Sequence, residues 1–216
     1  MRDILLKILL FAPPVLFSIV LHEVMHGYVA DKLGDGTARR AGRLTLNPVK
    51  HIDPVGTIIL PLALLIISRG GMVFGWAKPV PINPLNTLNP KRTMGLTALA
   101  GPMTNLVLAI LCTLALALLP HSPGMLPSGG ILTPISIMLQ GGLVINVVLT
   151  VFNLIPVPPL DGGRVLVWLL PDDMAKSVAK IEPYGMFIIF GLLILNPGNI
   201  LSKLIGGVLT LFVRFI

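Results

Sequence analysis

The sequence predicts an all-α membrane protein, a polytopic bundle of transmembrane helices with one re-entrant or interfacial segment and short strands in a polar loop. Its 216 residues are 54% hydrophobic and only 12% charged, about half the charge that covers a soluble domain. Mean hydropathy is +0.90. The apolar residues gather in long runs separated by prolines, glycines and basic loops, which is the pattern of membrane spans. The length suits one domain over residues 1–216, with a core at about 4–170 and a hydrophobic C-terminal pair at 184–216.

Residues 4–29 form the first apolar segment, in which Pro13 and Pro14 are placed to kink a helix. It reads as a retained span, since no small-residue cleavage site interrupts it. Residues 31–53 are polar and basic, with Lys32, Arg39, Arg40, Arg43 and Lys50 against Asp31, Asp35 and Asp53. A brief alternation at Leu44, Thr45 and Leu46 suggests short strands there. Residues 55–68 are apolar, but as a helix they reach only about 21 Å against a membrane core of about 30 Å. Arg69, Gly70 and Gly71 then turn the chain into MVFGWAKPVPINPLNTLNP, whose prolines forbid a regular helix and favour extended chain. Residues 94–119 and 131–155 are full spans, joined by a loop at 120–130 that has no Lys, Arg, Asp or Glu. Pro156, Pro158 and Pro159 end the second of them. A short apolar piece at 165–170, a polar interfacial helix at 171–183, and apolar pieces at 184–195 and 200–216 complete the chain.

The net charge of +7 does not indicate nucleic acid, because no basic helix with interleaved aromatics exists. The cations sit in loops, where they suit the cytoplasmic face and anionic lipid. A single cysteine, Cys112, lies in an apolar run, which excludes a disulfide framework and a C-x-x-C site and leaves packing as its role.

One motif carries chemistry. HEVMH at residues 22–26 matches H-E-x-x-H. Residues four apart on a helix share a face, so His22 and His26 can meet one metal ion, with Glu23 beside it as a base. Zinc suits imidazole and carboxylate ligands with one position left open. Ionisable groups in a bilayer are costly and mark function. A third ligand is needed, and the candidates are Asp161, His51, Asp53 and His121. Asp161 is favoured because it alone lies in an apolar setting, in NLIPVPPLDGGR, where prolines break a span at membrane depth. His51 and Asp53 read as bracing a polar loop, and His121 as facing solvent. Asn105 and Asn153, at opposite ends of the two full spans, suit either hydrogen bonding between helices or donation to a carbonyl oxygen as it gains charge.

These residues resemble the site-2 proteases, a family of intramembrane zinc metalloproteases. The resemblance rests on HEVMH at 22–26, AGPMTN at 100–105 and NLIPVPPLDGG at 153–163, in the family's order, and spans about residues 18–165. GRLTLNPVKHIDPVGTIILP and GWAKPVPINP are similar to the small bacterial and archaeal branch without PDZ domains. The resemblance implies Zn2+ held by His22, His26 and Asp161, with Glu23 as general base. It also implies hydrolysis of peptide bonds in transmembrane or membrane-associated substrates, and places Asn105 and Asn153 near substrate or transition state. The rival reading is a non-catalytic membrane protein that binds or transports zinc.

Topology offers a separate check. HEVMH, Asn105 and Asp161 share one side of the membrane only if residues 55–81 enter and return without a net crossing. The basic residues Lys32, Arg39, Arg40, Arg43, Lys50, Lys78, Lys91, Arg92 and Arg164 then fall on that side, opposite the uncharged loop. The positive-inside tendency makes it the cytoplasmic side of a prokaryotic membrane, with Arg2 and Lys7 as exceptions. The extended segment GWAKPVPIN, read as donor-rich, is expected to pair with an unwound substrate strand.

Overall fold

The computed structural model describes residues 2–67, 75–119, 131–195 and 197–216. The helices follow the apolar runs. Helix α1 (Arg2–Lys32) passes through Pro13 and Pro14 as a single helix, so the proline pair does not divide it. After it come a single turn, α2 (Thr37–Arg40), and a 3-10 turn, Pro48–His51, whose first N–H groups are capped by the Asn47 side chain. The short strands expected at Leu44, Thr45 and Leu46 do not form, and no strand occurs among the described residues. A strand needs a neighbour for its ladder. Here the Thr45 carbonyl instead accepts from His51 Nε2 at 2.9 Å, which folds the loop onto itself.

Asp53 caps the next element by accepting from the N–H groups of Val55 and Gly56. A π-helical stretch, Pro54–Ile59, leads into α3 (Leu60–Ile67). The Arg69–Gly71 turn lies outside the described residues. At Gly75 the chain is back beside its starting point. Trp76 N–H donates to the Gly56 carbonyl at 3.0 Å, Thr57 Oγ1 donates to the Trp76 carbonyl at 2.8 Å, and Lys78 N–H donates to the His51 carbonyl at 2.9 Å. Arg43 Nη2 holds the Lys78 carbonyl at 2.7 Å. The extended strap formed by residues 75–83 is therefore stitched along one edge. Its N–H groups at Trp76 and Lys78 are spent on that seam, and Pro79 and Pro81 have none. The strap is thus poor in donors, contrary to the sequence expectation.

Helix α4 (Pro90–Leu118) opens with proline at its first position and the Asn89 side chain as its cap. It is followed by α5 (Leu132–Asn153). At 1.5 Å per residue they reach about 43 and 33 Å. Together with Leu9–Lys32 of α1, they are the three single helices among the described residues that are long and apolar enough to cross a membrane. The protein is an integral membrane protein with a helical bundle.

The bundle is polar inside and apolar outside. Ser18, Asn105, Thr113, Ser136, Asn146 and Thr150 are buried, while Val107, Ile110, Leu111, Leu114 and Leu118 line the exposed face of α4. In lipid no hydrophobic effect drives helices together, so small residues and interhelical hydrogen bonds do so. Gly142 shows the closeness: a Cβ there would lie 3.0 Å from Cys112 Sγ. Ala109, Leu116, Leu143 and Val147 form the apolar part of the interior, with Cys112 packed against it.

Helix α6 (Asp161–Leu169) begins at Asp161, four residues before the expected apolar piece. Gly162 and Gly163 permit this. A Cβ on Gly162 would sit 2.3 Å from the Leu154 carbonyl oxygen, and one on Gly163 would sit 2.2 Å from Pro158 N. The helix thus starts pressed against the end of α5. Its far end is pinned to α4, where Trp168 covers Gly95 and Lys91 Nζ donates to the Leu170 carbonyl at 2.7 Å. The polar helix α7 (Asp172–Ala179) meets the apolar α8 (Glu182–Leu195) at a 64° bend. Helix α9 (Ile200–Val213) packs Ile205, Val208, Leu209 and Phe212 on the α4–α5 core.

Candidate metal centre

His22 and His26 project from one face of α1, and their Nε2 atoms lie 3.0 Å apart. Asp161 Oδ2 lies 3.3 Å from each of them. Three donor atoms from two distant parts of the chain therefore form a near-equilateral triangle. A tetrahedral ion with bonds of about 2.0–2.1 Å has ligand-to-ligand edges of about 3.3–3.4 Å. The donor set and its spacing fit zinc, and the triangle leaves a fourth corner for water or substrate.

The outer atoms of the rings fix which nitrogen faces inward. His22 Nδ1–H donates to Asn105 Oδ1 at 2.5 Å, and His26 Nδ1–H donates to the Thr97 carbonyl at 2.7 Å. Both acceptors are oxygens, so each ring carries its proton on Nδ1 and turns the Nε2 lone pair toward the centre. Asn105 is fully buried. Its amide nitrogen donates to Asn146 Oδ1 at 2.7 Å and, more weakly, to the Ser18 carbonyl at 3.4 Å. Asn146 in turn donates to Ser18 Oγ at 2.8 Å and to the Gly142 carbonyl at 2.8 Å. A polar chain thus runs from α5 through α4 to the back of His22.

Gly101 forms the wall beside both rings. A Cβ there would lie 2.5 Å from Cε1 and Nε2 of His26 and 2.6 Å from Cε1 of His22. On the other flank, a Glu23 oxygen lies within 4.8 Å of donor atoms of His22 and His26. Glu23 Oε2 accepts from the Val80 N–H of the strap at 3.0 Å.

The other candidates lie elsewhere. His51 is buried, with Nε2 spent on the Thr45 carbonyl, and Asp53 is spent on its cap. His121 lies outside the described residues. Asn153 ends α5, and its amide donates to the Leu149 carbonyl of its own helix at 3.0 Å. Sequence reasoning missed Ser18, Asn146, Thr97, Gly101 and Val80. Asn146 was within reach, since an amide inside an apolar span needs a partner. The Thr97 carbonyl and the Val80 N–H are backbone groups, which leave no signal in residue type.

Comparison with known proteins bears on this centre. The model of Peptidase family M50 matches residues 130–195, which include Asp161. The Bacillus subtilis protein named "Putative zinc metalloprotease YwhC" is 40% identical over 183 residues, covering 85% of this chain and 78% of that protein. Rip2 of Mycolicibacterium smegmatis, similarly named, is 34% identical over 181 residues, covering 83% of this chain and 64% of its own length. MJ0611 of Methanocaldococcus jannaschii, also so named, is 33% identical over 151 residues, covering 69% and 64%. The chain spans somewhat less than two thirds of these last two relatives. No solved structure matches it significantly. With a relative this similar along most of both lengths, the chain belongs to Peptidase family M50, the site-2 protease family of zinc metalloproteases.

Proposed function

We propose that the protein is an intramembrane zinc metalloprotease in which His22, His26 and Asp161 hold the ion and Glu23 is the general base. The observation that carries this reading is the convergence of three donor atoms at 3.0 and 3.3 Å. When bound, zinc supplies Lewis acidity that activates water and polarises a carbonyl. Glu23 takes the proton from water and returns it to the leaving amine. Asn105 and the Thr97 carbonyl keep both imidazoles in the ligating tautomer. Asn105 acts from behind His22, which favours its structural role over donation to substrate. Asn153 stands before the proline-rich turn that carries Asp161, and a substrate-holding role for it rests on the family resemblance alone.

Residues 1–216 act as one domain. The hydrogen bonds joining residues 51–57 to 76–78 support the expectation that residues 55–81 make no net crossing and return to the side they left. The site then opens toward the basic loops, on the cytoplasmic side of a prokaryotic membrane. Substrates are membrane-embedded or membrane-associated peptides, unwound before attack. The strap, through main-chain carbonyls not spent on that seam, is the segment that receives such a strand.

Two variants test the reading together. Asp161→Ala is expected to lose bound zinc, measured by metal analysis of the purified protein. Glu23→Gln is expected to keep zinc while cleavage of a membrane peptide stops. Cleavage by Glu23→Gln at the wild-type rate would remove Glu23 as base, and full zinc in Asp161→Ala would remove the third ligand.

A further inference from the structure

The strap meets the metal centre at one atom pair, the Val80 N–H on Glu23 Oε2 at 3.0 Å. Val80 stands between Pro79 and Pro81, so its N–H is the single main-chain donor of that tripeptide. Its side chain is buried in a notch over α1. A Cβ added to Gly27 would lie 2.8 Å from Val80 Cγ1 and 2.8 Å from Leu44 Cδ2, so the glycine that follows HEVMH makes room for the strap. The strap is tied on both sides of this point. Arg43 holds the Lys78 carbonyl, and buried Asp35 accepts from Asn83 N–H at 2.5 Å and Asn86 Nδ2 at 2.8 Å. Val80 is therefore held in place from three directions while it donates to a carboxylate.

We propose that Val80 is a positioning residue for Glu23: its N–H fixes one carboxylate oxygen and leaves the other to face the metal centre. This rests on the reading of Glu23 as base. A base displaced by about 1 Å can lose about a hundredfold in rate, so tethering it to a stiff proline-flanked segment has a direct kinetic consequence. It also links the two halves of the mechanism. The segment proposed to receive the substrate strand is the one that aims the base, so a substrate that seats the strap more firmly also seats Glu23.

The tripeptide makes the test clean, because Pro79 and Pro81 carry no amide hydrogen. Deuterium uptake at 79–81, taken as the difference between overlapping fragments of the zinc-loaded full chain in detergent micelles, reports Val80 alone. Exchange is expected to rise by about tenfold or more in Glu23→Ala. Replacing Val80 by its 2-hydroxy acid analogue removes only the N–H. It is expected to lower kcat by about tenfold or more, with KM within about twofold and zinc content unchanged. Equal exchange in Glu23→Ala, or an analogue whose kcat is unchanged or raised, overturns the proposal. A raised kcat would make the contact inhibitory. The exchange arm is independent of catalysis, so it still reads the contact if Glu23→Gln proves active and the base assignment fails.

Discussion

Gly101→Ala adds one methyl group and should dismantle the metal centre. The new Cβ would lie 2.5 Å from Cε1 and Nε2 of His26 and 2.6 Å from Cε1 of His22. Carbon atoms rest at about 3.5 Å or more, so α4 and the two rings must part by about 1 Å. Metal-ligand bonds tolerate about 0.2 Å. The displacement is several times that tolerance, and the rings cannot take it up by rotation without releasing Asn105 and Thr97. Zinc affinity is expected to fall by at least about 10–100-fold, the loss seen when the support of a ligand is removed. The overpacking should cost about 1–3 kcal/mol of stability. Competition with a chromophoric chelator measures the affinity, and thermal melting in detergent measures the stability. Gly191→Ala is the control, since a Cβ there meets nothing within 4 Å. A Gly101→Ala protein with wild-type zinc affinity would refute the placement of both imidazoles against α4.

Two further perturbations probe the supports of the site. Asn146→Leu removes the acceptor of Asn105 and the donor to Ser18 Oγ, and should destabilise the bundle by about 0.6–1.7 kcal/mol; zinc affinity should fall by up to about tenfold, read by the same competition assay. Asp35 gives a pH dependence. Burial pushes its carboxyl up, but donation from Thr37, Asn86 and Asn83 outweighs this and holds it below the usual range. A depressed carboxylate contributes stability above its unfolded value of about 3.9 and loses it as pH falls through the lower folded value. The strap should therefore stay seated from pH 7 to about 4 and loosen below, followed by exchange at Asn83 N–H; Asp35→Asn should flatten that dependence.

What could be read from the sequence was what depends on local spacing. Two histidines four apart meet on a helix face whatever the rest of the chain does, so His22 and His26 were legible. Asp161 was legible for a different reason. A carboxylate beside three prolines in an apolar run has few ways to be stable except around an ion or cavity. The hydrogen bonds that bring residues 76–78 back to 51–57 agree with the length argument, since about 21 Å of helix is shorter than the membrane core. The rest depends on long-range pairing. The strap's contact with α1 joins Val80 and Glu23, 57 positions apart, through a backbone hydrogen. Three alternating residues at Leu44–Leu46 suggested a strand, but alternation describes one edge and says nothing of a partner. The early start of α6 turned on how closely Gly162 and Gly163 could approach the α5 terminus, which is a fact of packing.

The same hydrogen bonds hold the bundle together and aim the His22 imidazole. In lipid, buried amides such as Asn105 and Asn146 have no water to turn to, so they find each other and bring α1, α4 and α5 together. A ring of leucines would also pack, but it would leave His22 free to choose its tautomer and its rotamer. The chain places an amide of α4 behind His22 and a backbone carbonyl of α4 behind His26. Each imidazole then has a partner on its outer side and turns its other nitrogen to the inner side. That asymmetry suits the two imidazoles and the nearby carboxylate to the proposed metal site, since three isolated polar groups in lipid would each cost a few kcal/mol.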